Sequence, residues 1–410
     1  MTRTAIHLTS ADHRAESDRA LFLISGAVLL ASSTWFSGTA AAPVLKDAWS
    51  LSDVQAAWLT TSVQLGFILG TFLYAVLNIA DVFKTRNVFF LSALGGALFN
   101  SGFALVSASF APALVFRFLT GISLAGIYPV GMKLVAQRYR RDLGWRLGIL
   151  VGSLTLGTAI PYALFAAGAH IPWRMLLLVA SLLAAGGGLL IKLGIGDGPY
   201  LQESPRFDVR AAFRVFRFRK FRLQAFGYFG HMWELYAFWS LAASFAAASF
   251  SRQGGKSPLP VPLLAFLIIG IGVFGCLLGG WASRYTGERN VALVSLVVSF
   301  LFCVLSGFLF AAPPLILIPA LLLWGVFVVS DSPQFSALAV EVCSPEYTGT
   351  ALTIQNGIGF AVSAVSIQGI AWLSQKIGWP GAFCCLAIGP LFGALAMARL
   401  GRHPEAGGEP

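Results

Sequence analysis

The sequence predicts an all-α polytopic membrane protein of twelve transmembrane helices in two pseudo-symmetric six-helix bundles. Three observations carry this reading. The 410 residues are 57% hydrophobic and only 11% charged, with a mean hydropathy of +0.77. An average soluble domain carries roughly 25% charged residues, so the bilayer has to act as part of this chain's solvent. The apolar residues also fall into twelve runs, and one long interior stretch that is not written in lipid-compatible residues leaves six runs on either side.

In order, the expected spans are 21–42, 56–79, 87–108, 113–135, 145–168 and 173–193, then 225–249, 261–282, 290–311, 314–339, 349–373 and 380–400. Most match the roughly 20 residues that cross the hydrocarbon. The first twenty residues are polar and lack the short apolar core and small-residue cleavage site of a signal peptide, so the first run is expected to remain as an anchor. The interior stretch, GIGDGPYLQESPRFDVRAAFRVFRFRKFR, runs from Gly194 to Arg222. Its Gly-Asp-Gly-Pro start and its Ser204-Pro205 step end any helix arriving from Leu193. From Asp208 on, Val209, Phe213, Phe216 and Lys220 recur at helical spacing among arginines. That pattern fits a short helix at the headgroup surface or a disordered basic linker. The expected units are therefore a first bundle at 1–193, a basic cytoplasmic connector at 194–224 and a second bundle at 225–410.

Orientation follows from the basic residues. With a cytoplasmic N-terminus, 22 of the 28 lysines and arginines fall on the cytoplasmic side and five on the other, while Arg117 lies inside span 4. This bias puts both termini in the cytoplasm of a multi-pass protein of the cell inner membrane. The net charge of +11 is spread over alternate loops and not gathered on one face, which argues against nucleic acid as a partner. Cys276, Cys303, Cys343, Cys384 and Cys385 have no metal-ligand spacing and read as small core hydrophobes, so neither a metal nor a cofactor is expected.

Small residues crowd several spans, among them Gly66, Gly70, Gly121, Gly126, Gly275 and Gly279. Close backbone approach through such residues is how helices associate in lipid. Pro129, Pro161, Pro319 and Pro333 fall within spans, where each frees a carbonyl and bends its helix.

An ionisable group at membrane depth is costly unless it is paired or faces water, so each is a functional candidate. Arg117, in LVFRFLTG, either attracts an anionic solute or pairs with a carboxylate on another helix. Span 7 carries GYFGHMWELYAFW, in which His231 and Glu234 share a face, Tyr228 precedes them, and Trp233 and Tyr236 flank them. A histidine beside a carboxylate in a cavity takes up and releases a proton near neutral pH; the alternative is a His–Glu hydrogen bond that locks the helix. In VVSDSPQFS of span 10, Asp331 is a second proton-responsive carboxylate, the partner of a basic group, or the cap of the half-helix after it. Gln355 and Asn356 on span 11 add hydrogen-bonding groups, and Gln64 and Lys133 are weaker candidates.

These features resemble the major facilitator superfamily over essentially the whole chain. The stretch LNIADVFKTR after span 2 is similar to that family's loop signature; Asp81 and Arg86 are kept, while Leu77 and Lys84 replace its glycines. The resemblance implies a charge pair near an inner gate, with Arg284 of GGWASRYTGER in the corresponding second-half position. Arg117 and Gly121 resemble the family's span 4 signature, a position tied to energy coupling in proton-coupled members. GSLTLGTAIPYAL in span 5 lacks the Gly-Pro end of drug/proton antiporters. YPVGMKL, GHMWELYAFW and SDSPQFSALAVE look like bacterial members near the cyanate and nitrate/nitrite transporters, without the glycine-rich signatures of nitrate transport.

The resemblance implies a monomeric secondary transporter working by alternating access, with spans 1, 4, 7 and 10 around a cavity. The expected cargo is a small molecule, preferably an anion drawn by Arg117, shaped by Trp233 and Tyr236 and moved in symport with a proton handled by His231, Glu234 and Asp331. One rival is a proton-driven exporter of amphipathic or cationic compounds, which needs both carboxylates facing the cavity and Arg117 already paired. The other is a receptor or assembly protein with a sealed cavity. No P-loop, HExxH or nucleophile elbow occurs, so an enzyme is not expected.

Overall fold

The computed structural model describes residues 10–139, 143–167, 171–196, 214–255, 257–343 and 345–401, without the side chains of 10–16, 81 and 345–348. The described residues are helical, with short connections and no strand. This is what the bilayer dictates, because a helix satisfies its own backbone where no water can. Ten helical segments are long and apolar enough to cross a membrane. Leu105, Leu182, Phe308 and Leu315 are 68–86% exposed on their outer faces, which suits contact with lipid and not with water.

The first expected span is two helices. α1 (Ser10–Ser32) stops, residues 33–36 turn, and α2 (Ser37–Trp49) resumes. A capping box at Ser52 and Gln55 starts α3 (Asp53–Val76). The short α4 (Ile79–Val82) leads into α5 (Thr85–Val106). The fourth span is also broken, into α6 (Phe110–Leu124) and α7 (Tyr128–Ala136), with Pro129 in the first turn of the second piece. α8 (Leu143–Ala167) and α9 (Trp173–Gly194) follow.

The connector residues 197–213, including Asp208, Val209, Arg210 and Phe213, lie outside the described residues. Its tail is described: Val215 and Phe216 pack onto Phe221, at the start of α10 (Arg219–Arg252). At 34 residues α10 is long enough to cross, but its basic first turns and its polar middle keep it out of the ten apolar segments. α11 (Val261–Gly270) and α12 (Gly272–Thr286) run almost end to end, followed by α13 (Glu288–Ala311). The tenth span breaks at Asp331 between α14 (Pro314–Ser330) and α15 (Ser332–Val342), again with a proline in the first turn after the break. Pro161 and Pro319, by contrast, sit inside α8 and α14 without interrupting them. The last apolar segment, Gly349–Leu400, is 52 residues long. At 1.5 Å per residue it is more than twice the thickness of the hydrocarbon. It divides at Gly378, whose φ of +76° ends the run within α16 (Pro345–Cys384), and at the 3₁₀ turn Cys385–Ala387 before α17 (Ile388–Leu400).

Two devices recur before and after the connector. On α3 and α6, a Cβ added at Gly66 would lie 1.9 Å from the Phe118 carbonyl oxygen, and one at Gly121 would lie 2.1 Å from that of Val63. Where α14 meets the end-to-end helices α11 and α12 a similar pair appears, Gly275 of α12 against the Val326 carbonyl at 2.1 Å and Gly325 of α14 against the Ile268 carbonyl of α11 at 2.2 Å. Only glycine allows these crossings. The second device is an arginine at the second residue of a helix that closes the end of another. Arg86 of α5 donates to the Ile195 carbonyl after α9 (3.3 Å), and Arg289 of α13 donates to Met397 (2.9 Å) and Ala398 (3.4 Å) near the end of α17. A guanidinium at a helix C-terminus satisfies orphan carbonyls and meets the negative end of the dipole. Across the connector, α3 packs on α16, and α8 packs on α11, α12 and α15.

The cysteines are unpaired; Cys276 and Cys303 are buried as core residues, but Cys384 is exposed. Its position on the outer face of α16 corrects the expectation that it fills the core.

Candidate functional site

A cavity of about 30 Å³ lies where the broken helices meet α10 and α16. Tyr128, Val151 and Leu154 line it from before the connector, and Tyr228, Tyr236, Trp239, Ser332, Ser336, Asn356 and Phe360 from after it. No charged side chain is on its wall. It has room for about one or two waters and not for a solute, so this conformation is closed around its centre.

Rings close one flank of the cavity. Trp35 and Phe36, in the break between α1 and α2, stack on Tyr236 at centroid distances of 5.9 and 6.3 Å. Trp35 also meets Phe67 (5.0 Å) and Phe360 (5.7 Å), Phe36 meets Trp239 (6.2 Å), and Phe67 meets Phe360 (4.3 Å). The indole N–H groups of Trp35 and Trp239 are buried without a hydrogen-bond partner.

Arg117 is fully buried beneath this break, and neither expected partner is beside it. Its guanidinium donates to the main-chain carbonyls of Thr34 (2.8 Å), Leu59 (3.1 Å) and Trp35, and to Ser37 Oγ (3.4 Å). Gly38 is what makes room, because a Cβ there would lie 2.7 Å from Arg117 Nε. A broken helix frees carbonyls that must find donors, and a five-donor fork supplies several at once.

His231 and Asp331 are brought together across 100 residues of sequence. His231 Nδ1 lies 2.9 Å from Asp331 Oδ1, with only 1% and 3% of the two side chains exposed. The other ring nitrogen, Nε2, lies 2.9 Å from Ser332 Oγ. Asp331 occupies the cap position of α15, but its carboxylate makes no capping bond and turns to the imidazole. Ser332 reaches the cavity wall.

Glu234 is not the partner of His231. Its Oε1 accepts from Trp324 Nε1 (2.5 Å) and from Cys303 Sγ (3.6 Å), inside the packing of α10, α13 and α14 and off the cavity wall. Trp233 also points elsewhere. Two positions along a helix is about 200° of rotation from His231, and its indole donates to the Cys385 carbonyl (3.4 Å). Tyr236 and Asn356 do line the cavity, Asn356 accepting from the Tyr228 hydroxyl at 3.1 Å. Gln355 is buried behind it with its carbonyl oxygen unpaired, and the buried Gln64 amide is unpaired as well. Lys133 donates to the Ala80 carbonyl at 2.9 Å.

Of the expected gate residues, the Asp81 side chain lies outside the described residues. Arg86 holds the end of α9, as above. Arg284 lies over the Trp145 ring (4.8 Å) in a cleft of about 460 Å³ whose wall also carries Glu288 and Glu341. Tyr128, Trp239 and the Trp35–Phe36 pair were not singled out from sequence, and Ser332 only as a polar neighbour of Asp331. The only signal was a proline following Tyr128 and Ser332, which marks both breaks.

The fold defines a multi-pass membrane protein, and among the described residues no cluster of three or more His, Cys, Asp or Glu is placed to hold a metal. Residues 23–367 match the Major Facilitator Superfamily, and the chain belongs to that family of secondary transporters, a non-enzymatic class. The chain is 30% identical over 181 residues to the niacin transporter NiaP of Acinetobacter baylyi, a match covering 40% of this chain and 37% of that relative's length. It is 25% identical over 343 residues to a Haemophilus influenzae protein named "Putative metabolite transport protein", covering 76% of this chain and 78% of the other. The crystal structure of a bacterial homologue of the human lysosomal transporter Spinster, inward-facing and unoccupied, superposes with a TM-score of 0.69 at 16% identity, covering 93% of this chain and 97% of that one.

Proposed function

We propose that this chain is a proton-coupled symporter of a small anion in the cell inner membrane, with twelve crossings in two six-helix bundles and both termini cytoplasmic. The observation that carries the reading is the His231–Asp331 pair, buried in a membrane interior and joined through Ser332 to a cavity lined from both sides of the connector. A buried imidazole–carboxylate pair costs several kcal/mol in lipid, and proton exchange is a standing reason to keep one. The repeated glycine crossings and arginine caps support the two bundles, and the division of 349–400 together with α10 brings the ten apolar segments to twelve.

Anion preference does not rest on Arg117, whose donors are taken by carbonyls. It rests on hydroxyl and amide groups in the cavity and on the half-helices α7 and α15, whose positive ends begin at the wall residues Tyr128 and Ser332. The likeness of three segments to the cyanate and nitrate branches supports a small anion, and the similarity to the niacin transporter supports an organic one. Export of cations is less well supported, because neither Glu234 nor Asp331 lines the cavity.

The test is uptake of radiolabelled nicotinate and a panel of small carboxylates into proteoliposomes under an imposed pH gradient, with His231→Gln and Asp331→Asn alongside. An inward proton gradient should drive accumulation in the wild type and not in the two variants. Gradient-independent transport of every solute moved would end the proton-coupled reading.

A further inference from the structure

We propose that the Ser332 hydroxyl is the group through which the proton on the His231–Asp331 pair controls anion binding; the proposal rests on the proton-coupled anion reading above. The argument is a count of hydrogens. With Asp331 ionised and the imidazole neutral, the carboxylate 2.9 Å from Nδ1 favours the ring proton on that nitrogen and leaves Nε2 a lone pair. Ser332 then donates its only hydrogen to Nε2 across 2.9 Å and shows the cavity nothing but oxygen lone pairs. When the pair gains a proton, on either residue, Nε2 becomes the donor to Ser332 Oγ. The hydroxyl hydrogen turns free and Ser332, on the cavity wall, can donate it to an anion.

Charge changes in the same direction. The pair carries a net −1 before protonation and none after it, so the first state repels an anion beside it and the second does not. The proton comes from water, for which the cavity has room, and no covalent bond other than O–H and N–H is exchanged. The other titratable groups facing the pair are Glu234 and Tyr228 on its own helix, Tyr128 on α7 and Cys276 on α12. Tyrosine and cysteine ordinarily ionise above about pH 8, and Glu234 is held by Trp324. The pair, joined to the wall through Ser332, is thus the group placed to pass the effect of a proton to the cavity. Anion and proton bind together, and by linkage each raises the other's affinity by the same factor.

Benzoate is the probe, because five aromatic side chains, Tyr128, Tyr228, Tyr236, Trp239 and Phe360, line the cavity. Calorimetric titration of the full-length protein in lipid nanodiscs, in buffers of different ionisation enthalpy between about pH 5 and 8, counts protons taken up per benzoate. The wild type should take up about one and lose affinity nearly tenfold per pH unit at the alkaline end. Ser332→Thr should keep both properties. Ser332→Ala should bind benzoate about tenfold more weakly at low pH, with a shallower pH profile and clearly less than one proton taken up, the remainder being the change in charge of the pair. Should Ser332→Ala fail to fold, Ser332→Cys replaces it with the same expected loss, since a thiol is a weak donor.

A Ser332→Ala profile as steep as wild type overturns the proposal. If His231→Gln flattens that profile, the proton-coupled reading survives and only the serine link fails; if both variants stay steep, both fail. No benzoate binding by the wild type at the acid end also overturns it, while leaving proton-driven transport of another solute to be judged by the uptake panel.

Discussion

Replacing Arg117 by methionine should destabilise the protein, whatever it transports. Methionine fills much of the same volume but donates nothing, so in a place no water reaches the Trp35 carbonyl loses its donor, while that of Thr34 keeps the Ser37 hydroxyl and that of Leu59 keeps the ladder of α3. An orphaned buried acceptor costs about 1–3 kcal/mol and each of the other two lost hydrogen bonds to a charged donor about 1.5–3 kcal/mol, which bounds the loss at roughly 4–9 kcal/mol. Burying a guanidinium with no carboxylate beside it is itself costly, and its removal returns several kcal/mol. A net loss of about 2–5 kcal/mol is therefore expected. Arg117→Lys should fall between, because one ammonium cannot span all three carbonyls as a planar fork does. The assay is unfolding of the purified protein in detergent, followed by intrinsic fluorescence. If Arg117→Met were as stable as wild type and had lost only anion binding, the guanidinium would be a substrate receptor and the account of the helix break would be wrong.

Other consequences are open to simple measurement. Gly121→Ala and Gly325→Ala should each cost at least about 1–3 kcal/mol by overpacking, because the new methyl would sit 2.1–2.2 Å from a carbonyl oxygen; equal thermal stability would refute the crossing geometry. Trp324→Phe keeps the ring and removes the donor to Glu234, and should cost about 1–3 kcal/mol that Trp324→Phe combined with Glu234→Gln partly restores. On a cysteine-free background, cysteines at Lys46 and Arg174 should react with an impermeant maleimide in intact cells, and those at Arg284 and Arg399 only after permeabilisation. Phe67→Ala should loosen the ring cluster and raise labelling of a cysteine placed at Ser37; unchanged labelling would show that the rings do not hold this flank shut.

What was legible in the sequence was what is local or compositional. The lipid-borne helices follow from hydropathy, and two of the three breaks in the cavity-lining spans were marked by Pro129 and Pro333. The break at 33–36 carries no such mark: STWFSG would continue a helix, and what holds it open is an arginine some eighty residues away. Arg117 itself was visible as costly, but its partners were not, because backbone carbonyls have no signature in a sequence. For His231 the nearest carboxylate in sequence, Glu234, was a natural candidate partner. The imidazole pairs instead with a residue 100 positions on, because the fold turns α10 against the break that exposes Asp331. Trp233 was included for adjacency, although rotation about the helix carries it to the opposite side.

The two parts of the chain are unequal in a way that bears on mechanism. Span 1 is broken and stapled by a buried guanidinium, whereas α10 is continuous and carries the imidazole paired with Asp331. The guanidinium therefore holds ring geometry, and the imidazole–carboxylate pair belongs to the part of the chain after the connector. Five ring pairs join the two parts, Trp35 and Phe36 each to Tyr236, Trp35 and Phe67 to Phe360, and Phe36 to Trp239. At about 0.5–1.5 kcal/mol each, separating them costs of order 2.5–7.5 kcal/mol. One proton on one histidine cannot supply the upper part of that range, since a pKa change of one unit is worth about 1.4 kcal/mol. Opening this flank thus needs the rings to find replacement contacts, and a planar solute entering among Tyr236, Trp239 and Phe360 would provide them. On this arithmetic, the proton of the symport proposed above would set which solute state is accepted, and stacking by the solute would supply most of the work of opening.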